Sequence, residues 1–206
     1  MDAYRSLAIC TTKKGGSMQK PRLIGVLIFA TPLVLAAMTI AVAGDGSSQF
    51  NSNRMNSYQE NATLSTTGNG SFTAELDGNV IRYTLTFGAL EGGTVTQAHV
   101  HLGRRAVSGG IIAWLCGGPT LTGPAGTPVC PQPGGTVSGE IRAAQVVGPS
   151  GQGIAPMEFA ELVGALRAGA VYANVHTTTY GGGEIRGQVN EKGAKQADAL
   201  DTEDGD

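Results

Sequence analysis

Ser71-Phe72-Thr73-Ala74-Glu75-Leu76-Asp77-Gly78-Asn79-Val80-Ile81-Arg82-Tyr83-Thr84-Leu85-Thr86-Phe87 carries the clearest structural pattern in the chain. Phe72, Ala74 and Leu76 occupy every second position. After Asp77-Gly78 the alternation resumes, with Ile81, Tyr83, Leu85 and Phe87 set against Arg82, Thr84 and Thr86. Successive strand side chains point to opposite faces, so each half of the stretch has one apolar and one polar face. Asp-Gly between two such runs signals a hairpin, because glycine reaches the positive φ of a tight turn. The stretch predicts a half-buried antiparallel hairpin.

The same rhythm continues toward the C-terminus. Strand candidates fall at 95–102, 110–115, 136–142, 170–177 and 184–189, each bounded by Gly or Pro. Thirty-two glycines against 5% aromatic residues in 206 residues indicate many turns around a modest core. One segment departs from this pattern. From Pro156 to Arg167, Met157, Ala160, Val163, Leu162 and Leu166 fall at helical spacing, with Pro early, Arg167 late and Gly169 just beyond. The fold class that follows is all-β: an antiparallel, Greek-key-like β-sandwich with one short crossover helix over one end of the sheets.

Upstream, the pattern changes in kind. Arg5, Lys13, Lys14, Lys20 and Arg22 precede an uncharged apolar run from Leu23 to Val42, and Ala41-Val42-Ala43 supplies small residues at alternate positions before the polar Gly44-Asp45-Gly46-Ser47-Ser48. This predicts a signal peptide over 1–43, cleaved after Ala43. A start at Met18 would give that signal peptide an ordinary length. An uncleaved membrane anchor is the rival reading, since ~20 apolar residues span ~30 Å of hydrocarbon. Both put the same domain on the outer side. Residues 44–69, rich in Ser, Asn, Thr and Gly, read as a flexible polar tether. Residues 191–206 read as a disordered acidic tail, with six acids and two lysines.

Charge and cysteine usage bound the function. Residues 44–206 hold 9 basic and 15 acidic side chains, a net charge of −6. With no basic cluster left, nucleic-acid binding is excluded. Cleavage would remove Cys10 and leave Cys116 and Cys130, the number that makes one bridge, around a Gly-, Pro- and Thr-rich loop. A disulfide suits an oxidising compartment, with two buried free thiols as the alternative. The spacing is too wide for a metal cysteine pair. Neither a nucleophile elbow nor a phosphate-cradling loop follows residue 43, so no enzyme is expected. Trp114, the sole tryptophan, is expected in the core rather than as a sugar-binding platform.

Two blocks resemble a known family. Ala98-His99-Val100-His101-Leu102-Gly103 with Gly109-Gly110-Ile111-Ile112 forms one. The more specific is Tyr172-Ala173-Asn174-Val175-His176-Thr177 followed by Tyr180-Gly181-Gly182-Gly183-Glu184-Ile185-Arg186-Gly187-Gln188. Together they resemble the CHRD (chordin) domain, over roughly residues 70–190. The resemblance implies an exported, single-domain type of CHRD protein: a β-sandwich module that binds an unidentified extracellular protein or envelope component. Chordin's cysteine-rich modules are missing, so growth-factor antagonism is not carried over. A structural surface spacer is a further reading. Gly139-Glu140-Ile141-Arg142 echoes Gly183-Glu184-Ile185-Arg186, and both read as solvent-facing pairs that guard a sheet edge.

All three histidines lie in these blocks. His99 and His101 share one strand face; Tyr172, Asn174 and His176 share another. If the two strands are neighbours, three imidazoles converge. The His-x-His strand is similar to that of copper-zinc superoxide dismutase, and imidazole suits copper or zinc. A copper- or zinc-binding carrier or redox protein using His99, His101 and His176 is therefore the alternative function. The competing account has the histidines bonding turn backbones, with Asn174, Tyr180 and Glu184 as partners. Ring nitrogens about 3 to 4 Å apart fit a shared ion with metal–nitrogen bonds of about 2 Å; separations beyond ~8 Å do not.

Overall fold

The structure is a computed structural model and describes residues 47–193. The expected signal peptide or anchor over 1–43, Cys10 and all but the start of the expected acidic tail lie outside those residues. Among the described residues no helix is long and apolar enough to cross a membrane.

The predicted hairpin forms as drawn. Strand β2 (Asn69–Asp77) pairs antiparallel with β3 (Val80–Gly88), from Asn69 opposite Gly88 to Asp77 opposite Val80. Gly78 sits at φ +56°, where a side chain would be strained. Phe72, Leu76, Ile81, Leu85 and Phe87 are buried on one face, while the paired hydroxyls Thr84–Ser138 and Thr86–Thr136 lie on the other.

Five further strands follow close to their expected positions: β4 (Val95–Leu102), β5 (Ile111–Gly117), β6 (Gly135–Ile141), β7 (Val171–Thr177) and β8 (Ile185–Glu191). With β1 (Ser48–Asn56) they form one eight-stranded sheet in the order β5-β4-β7-β8-β1-β2-β3-β6. The pairings are antiparallel. The sheet curls into a nearly closed sandwich. Its two halves face each other across the core, so the Tyr83 hydroxyl on β3 donates to the Leu115 carbonyl on β5 at 2.6 Å. Burial pushes the Tyr83 pKa up to about 12, so it remains a donor. The chain crosses between halves at β3–β4, β5–β6 and β6–β7, the last through α1 (Phe159–Arg167).

Strand β1 corrects the expected tether. Ser48–Asn56 lies between β8 and β2, with Phe50 and Met55 each 1% exposed. A composition of Asn, Ser and Gln argues locally against order, but two buried anchors and hydrogen-bonding partners on both sides override it. A register shift between Ser52 and Met55 keeps both anchors facing inward. The rest of the expected tether is also held. Ser57 and Thr66 exchange hydrogen bonds, and Thr67 is bound to the Glu91 carboxylate. The expected tail starts late as well, since Glu191 closes β8 and Lys192 N–H donates to Gln49 O.

The helix is shorter than its pattern. Pro156 and Met157 form a preceding turn, with Met157 at φ +71° and exposed, so it takes no part in the apolar face. Leu162 and Leu166 are the residues that bury. Glu158 stands at the N-cap without a side-chain bond to the helix, and its carboxylate instead accepts the Ala155 N–H of the preceding turn at 2.7 Å. Cys116 and Cys130 are joined by a disulfide, both buried.

Candidate metal centre

Strand β4 pairs with β7 in a register that sets His99 opposite Asn174, His101 opposite Tyr172 and Gln97 opposite His176. The outward face of β7 and its neighbours would normally meet water, yet every residue of β7 is buried. Segments 57–66, 103–109 and 178–183 hydrogen-bond onto polar groups of this face. A polar sheet surface is thereby enclosed.

The three imidazoles converge there. Their ligand atoms all lie within 4.8 Å of one another, and the rings are 0%, 7% and 6% exposed for His99, His101 and His176. His99 Nδ1 lies 3.2 Å from His176 Nε2. With His176 Nδ1 bonded to Gly181 O, this contact is a hydrogen bond from His99 Nδ1–H to His176 Nε2, and its length is also close to the ~3.3 Å between two nitrogens on one tetrahedral ion with bonds of about 2 Å.

Backbone carbonyls orient two of the rings. His101 Nδ1 is 3.0 Å from Gly109 O, and His176 Nδ1 is 3.0 Å from Gly181 O. A carbonyl only accepts, so both Nδ1 atoms carry the proton and both Nε2 atoms keep a lone pair. Metal-bound histidines are held in this manner, with one nitrogen anchored to a backbone oxygen. Nε2 of His99 and of His101 is buried without a hydrogen-bond partner. Leaving such groups unmatched costs about 1–3 kcal/mol each. Gly109 is required where it stands, because a Cβ there would overlap the Leu102 carbonyl.

Aromatic contacts fix the ring planes. His101 stacks on Tyr172 at 4.8 Å and 5°, and the Arg186 guanidinium carbon lies 3.4 Å from the Tyr172 centroid. Arg186 Nη2 also donates to the carbonyls of Arg104 and Val107, which pins the covering loop. Trp114 meets His99 edge-on at 4.4 Å. It is half-buried on the histidine face, a wall of the cluster rather than a member of the apolar core.

Electrostatics keep the rings neutral. Burial pushes His99 down to about 2, assisted by His176 and His101. Burial also takes His101 down to about 4, partly offset by its bond to Gly109. His176 is lowered by burial against the pull of Gly181. Neutral imidazoles are the form that binds a metal, and these have no proton to lose first.

A family model for the CHRD domain matches residues 52–189. The chain belongs to the CHRD domain family. The CHRD match starts within β1, in agreement with a first strand that belongs to the domain. No curated protein and no solved structure matches the chain.

Within the CHRD domain the expected partners of the histidines have other tasks. Asn174 donates to Glu60 Oε1 at 2.5 Å and to Ile185 O. Glu184 accepts from Glu91 N, Gly92 N and Thr177 Oγ1, and clips the loop after β3 to the start of β8. Tyr180 bonds through its backbone to Thr177 and Gly183. None of the three hydrogen-bonds a histidine ring. The Gly-Glu-Ile-Arg echo also divides. Glu140 and Arg142 form an exposed pair at the end of edge strand β6 as expected. Glu184 and Arg186 are 0% and 2% exposed at the start of the interior strand β8, so the edge-guard reading fails for them. Tyr172 was legible by strand parity. The roles of Glu60, Gly109, Gly181 and Arg186 were not legible, although the last three lie in the quoted blocks, because those roles depend on which loops fold over the sheet.

Proposed function

We propose that this chain is an exported, non-enzymatic CHRD module whose working site is a three-histidine centre for one copper or zinc ion, formed by His99, His101 and His176. The observation that carries it is the convergence of three buried neutral imidazoles, two anchored through Nδ1 to Gly109 and Gly181. Scaffolding alone would not favour a buried His101 Nε2 lone pair without a partner. Export is supported by the apolar run Leu23–Val42 before Ala41-Val42-Ala43 and by the disulfide. CHRD membership also supports a module that binds an extracellular or envelope partner, and an interior metal centre is compatible with that role.

Metal-stripped protein titrated with copper and with zinc tests the proposal. One ion per chain at sub-micromolar affinity is expected, reduced about 10- to 100-fold or more in His101→Ala and His176→Ala. Absence of binding, or an affinity in both variants unchanged from that of the native chain, would sink it.

A further inference from the structure

We infer that the ion this centre is built to hold is monovalent copper, coordinated by the three imidazoles alone. The inference rests on the metal-centre reading above and narrows it. Donor type does not discriminate, since imidazole suits copper and zinc alike. Donor number, charge and burial do.

Zinc is almost always four-coordinate, by four protein ligands or by three and a water. Among the described residues the cluster has three ligands. The nearby carboxylates are engaged: Glu184 by three donors, Glu60 by Asn174. The sulfurs of Cys116 and Cys130 are bound to each other. Water is an unsuitable fourth ligand where the ring of His99 is 0% exposed and Trp114 lies against it.

Charge points the same way. All three donors are neutral, so the ion would bring its full charge into a buried site with no anion coordinated to it. The cost of burying an ion grows with the square of its charge, about fourfold from a monovalent to a divalent ion. Arg186 adds a fixed cation behind Tyr172, which repels a dication twice as strongly. Copper(I), a filled-shell monocation, is satisfied by three nitrogen donors in a plane. Closing ligand atoms from within 4.8 Å to the ~3.5 Å of a trigonal site takes ring shifts of about an ångström.

The test uses the native, metal-stripped chain without thiol reductants, which would attack the disulfide. Copper(I), supplied anaerobically as its acetonitrile complex, is titrated against bicinchoninate, and zinc(II) against a fluorescent chelator. One copper(I) per chain is expected, bound at least about 100-fold more tightly than zinc(II), and weakened by a similar factor in His101→Gln. X-ray absorption of the loaded native chain should show three nitrogens at about 2 Å. Zinc binding equal to or tighter than copper(I), or a fourth ligand on copper(I), overturns the inference while the metal centre stands. If neither ion binds, the metal centre falls and the inference with it.

Discussion

Glu60 accepts a hydrogen bond from Asn174 beside the Arg186 guanidinium, and it is 8% exposed. Burial raises its pKa to about 7, against the lowering pull of Arg186 and Asn174. A carboxyl whose folded pKa lies above its unfolded value binds its proton more tightly in the folded chain. Its ionisation therefore destabilises the fold progressively as pH rises from about 4.5 to about 7, by on the order of 3 kcal/mol. The three histidines act in the opposite direction below about pH 6.5, since they are held neutral, so Glu60 must be isolated by difference. Glu60→Gln should gain stability over the native chain as pH is raised from 5 to 8 in denaturant titrations. A pH-independent difference would show that Glu60 titrates normally. Arg186 is the charged group facing Glu60, and Arg186 itself is held by Arg104 O, Val107 O and the Tyr172 ring.

At the scale of elements, β1 separates what local pattern shows from what pairing decides. Phe50→Ala should cost about 3–5 kcal/mol, as for other buried phenylalanines. Tyr58→Ala, at a side chain 65% exposed in the following turn, should change stability by less than about 0.5 kcal/mol. Urea denaturation of the two variants checks both, and equal, negligible effects would restore the tether. The hairpin β2–β3 and strands β4 to β8 were legible because their alternation is dense and their turns carry Gly or Pro. In β1 only Phe50 and Met55 mark the inner face, diluted by Asn and Ser and displaced by a bulge. The helix pattern overran for a related reason: Met157 has helical spacing but lies in a turn of positive φ, before the first helical residue.

For the whole molecule, the disulfide and the curled sheet act together. Cys116 ends β5, an edge strand, and Cys130 anchors the loop that returns toward β6, 14 residues later. Constraining that loop in the unfolded chain contributes about 3 kcal/mol in the chain-entropy account. Reduction, or Cys116→Ser with Cys130→Ser, should lower unfolding stability by about that amount, read from urea midpoints with and without reductant. Titration of two free thiols in protein from its natural compartment would contradict the bridge.

The sequence by itself determined the β architecture, the shared face of His99 and His101 and the face of His176, and it favoured one bridge between Cys116 and Cys130. These follow from a two-residue backbone period and a count, both local properties. Only the tertiary structure decided that β4 and β7 are neighbours, that β1 completes the sheet, and that three loops close over a polar face. It also decided that Gly109 and Gly181 carbonyls fix the protons of two rings, and that Glu184 and Arg186 are buried while their echo at Glu140 and Arg142 is exposed. Those outcomes depend on contacts between residues far apart in the chain, where the surroundings of a side chain, and with them its charge and partners, are set by whichever segment packs against it.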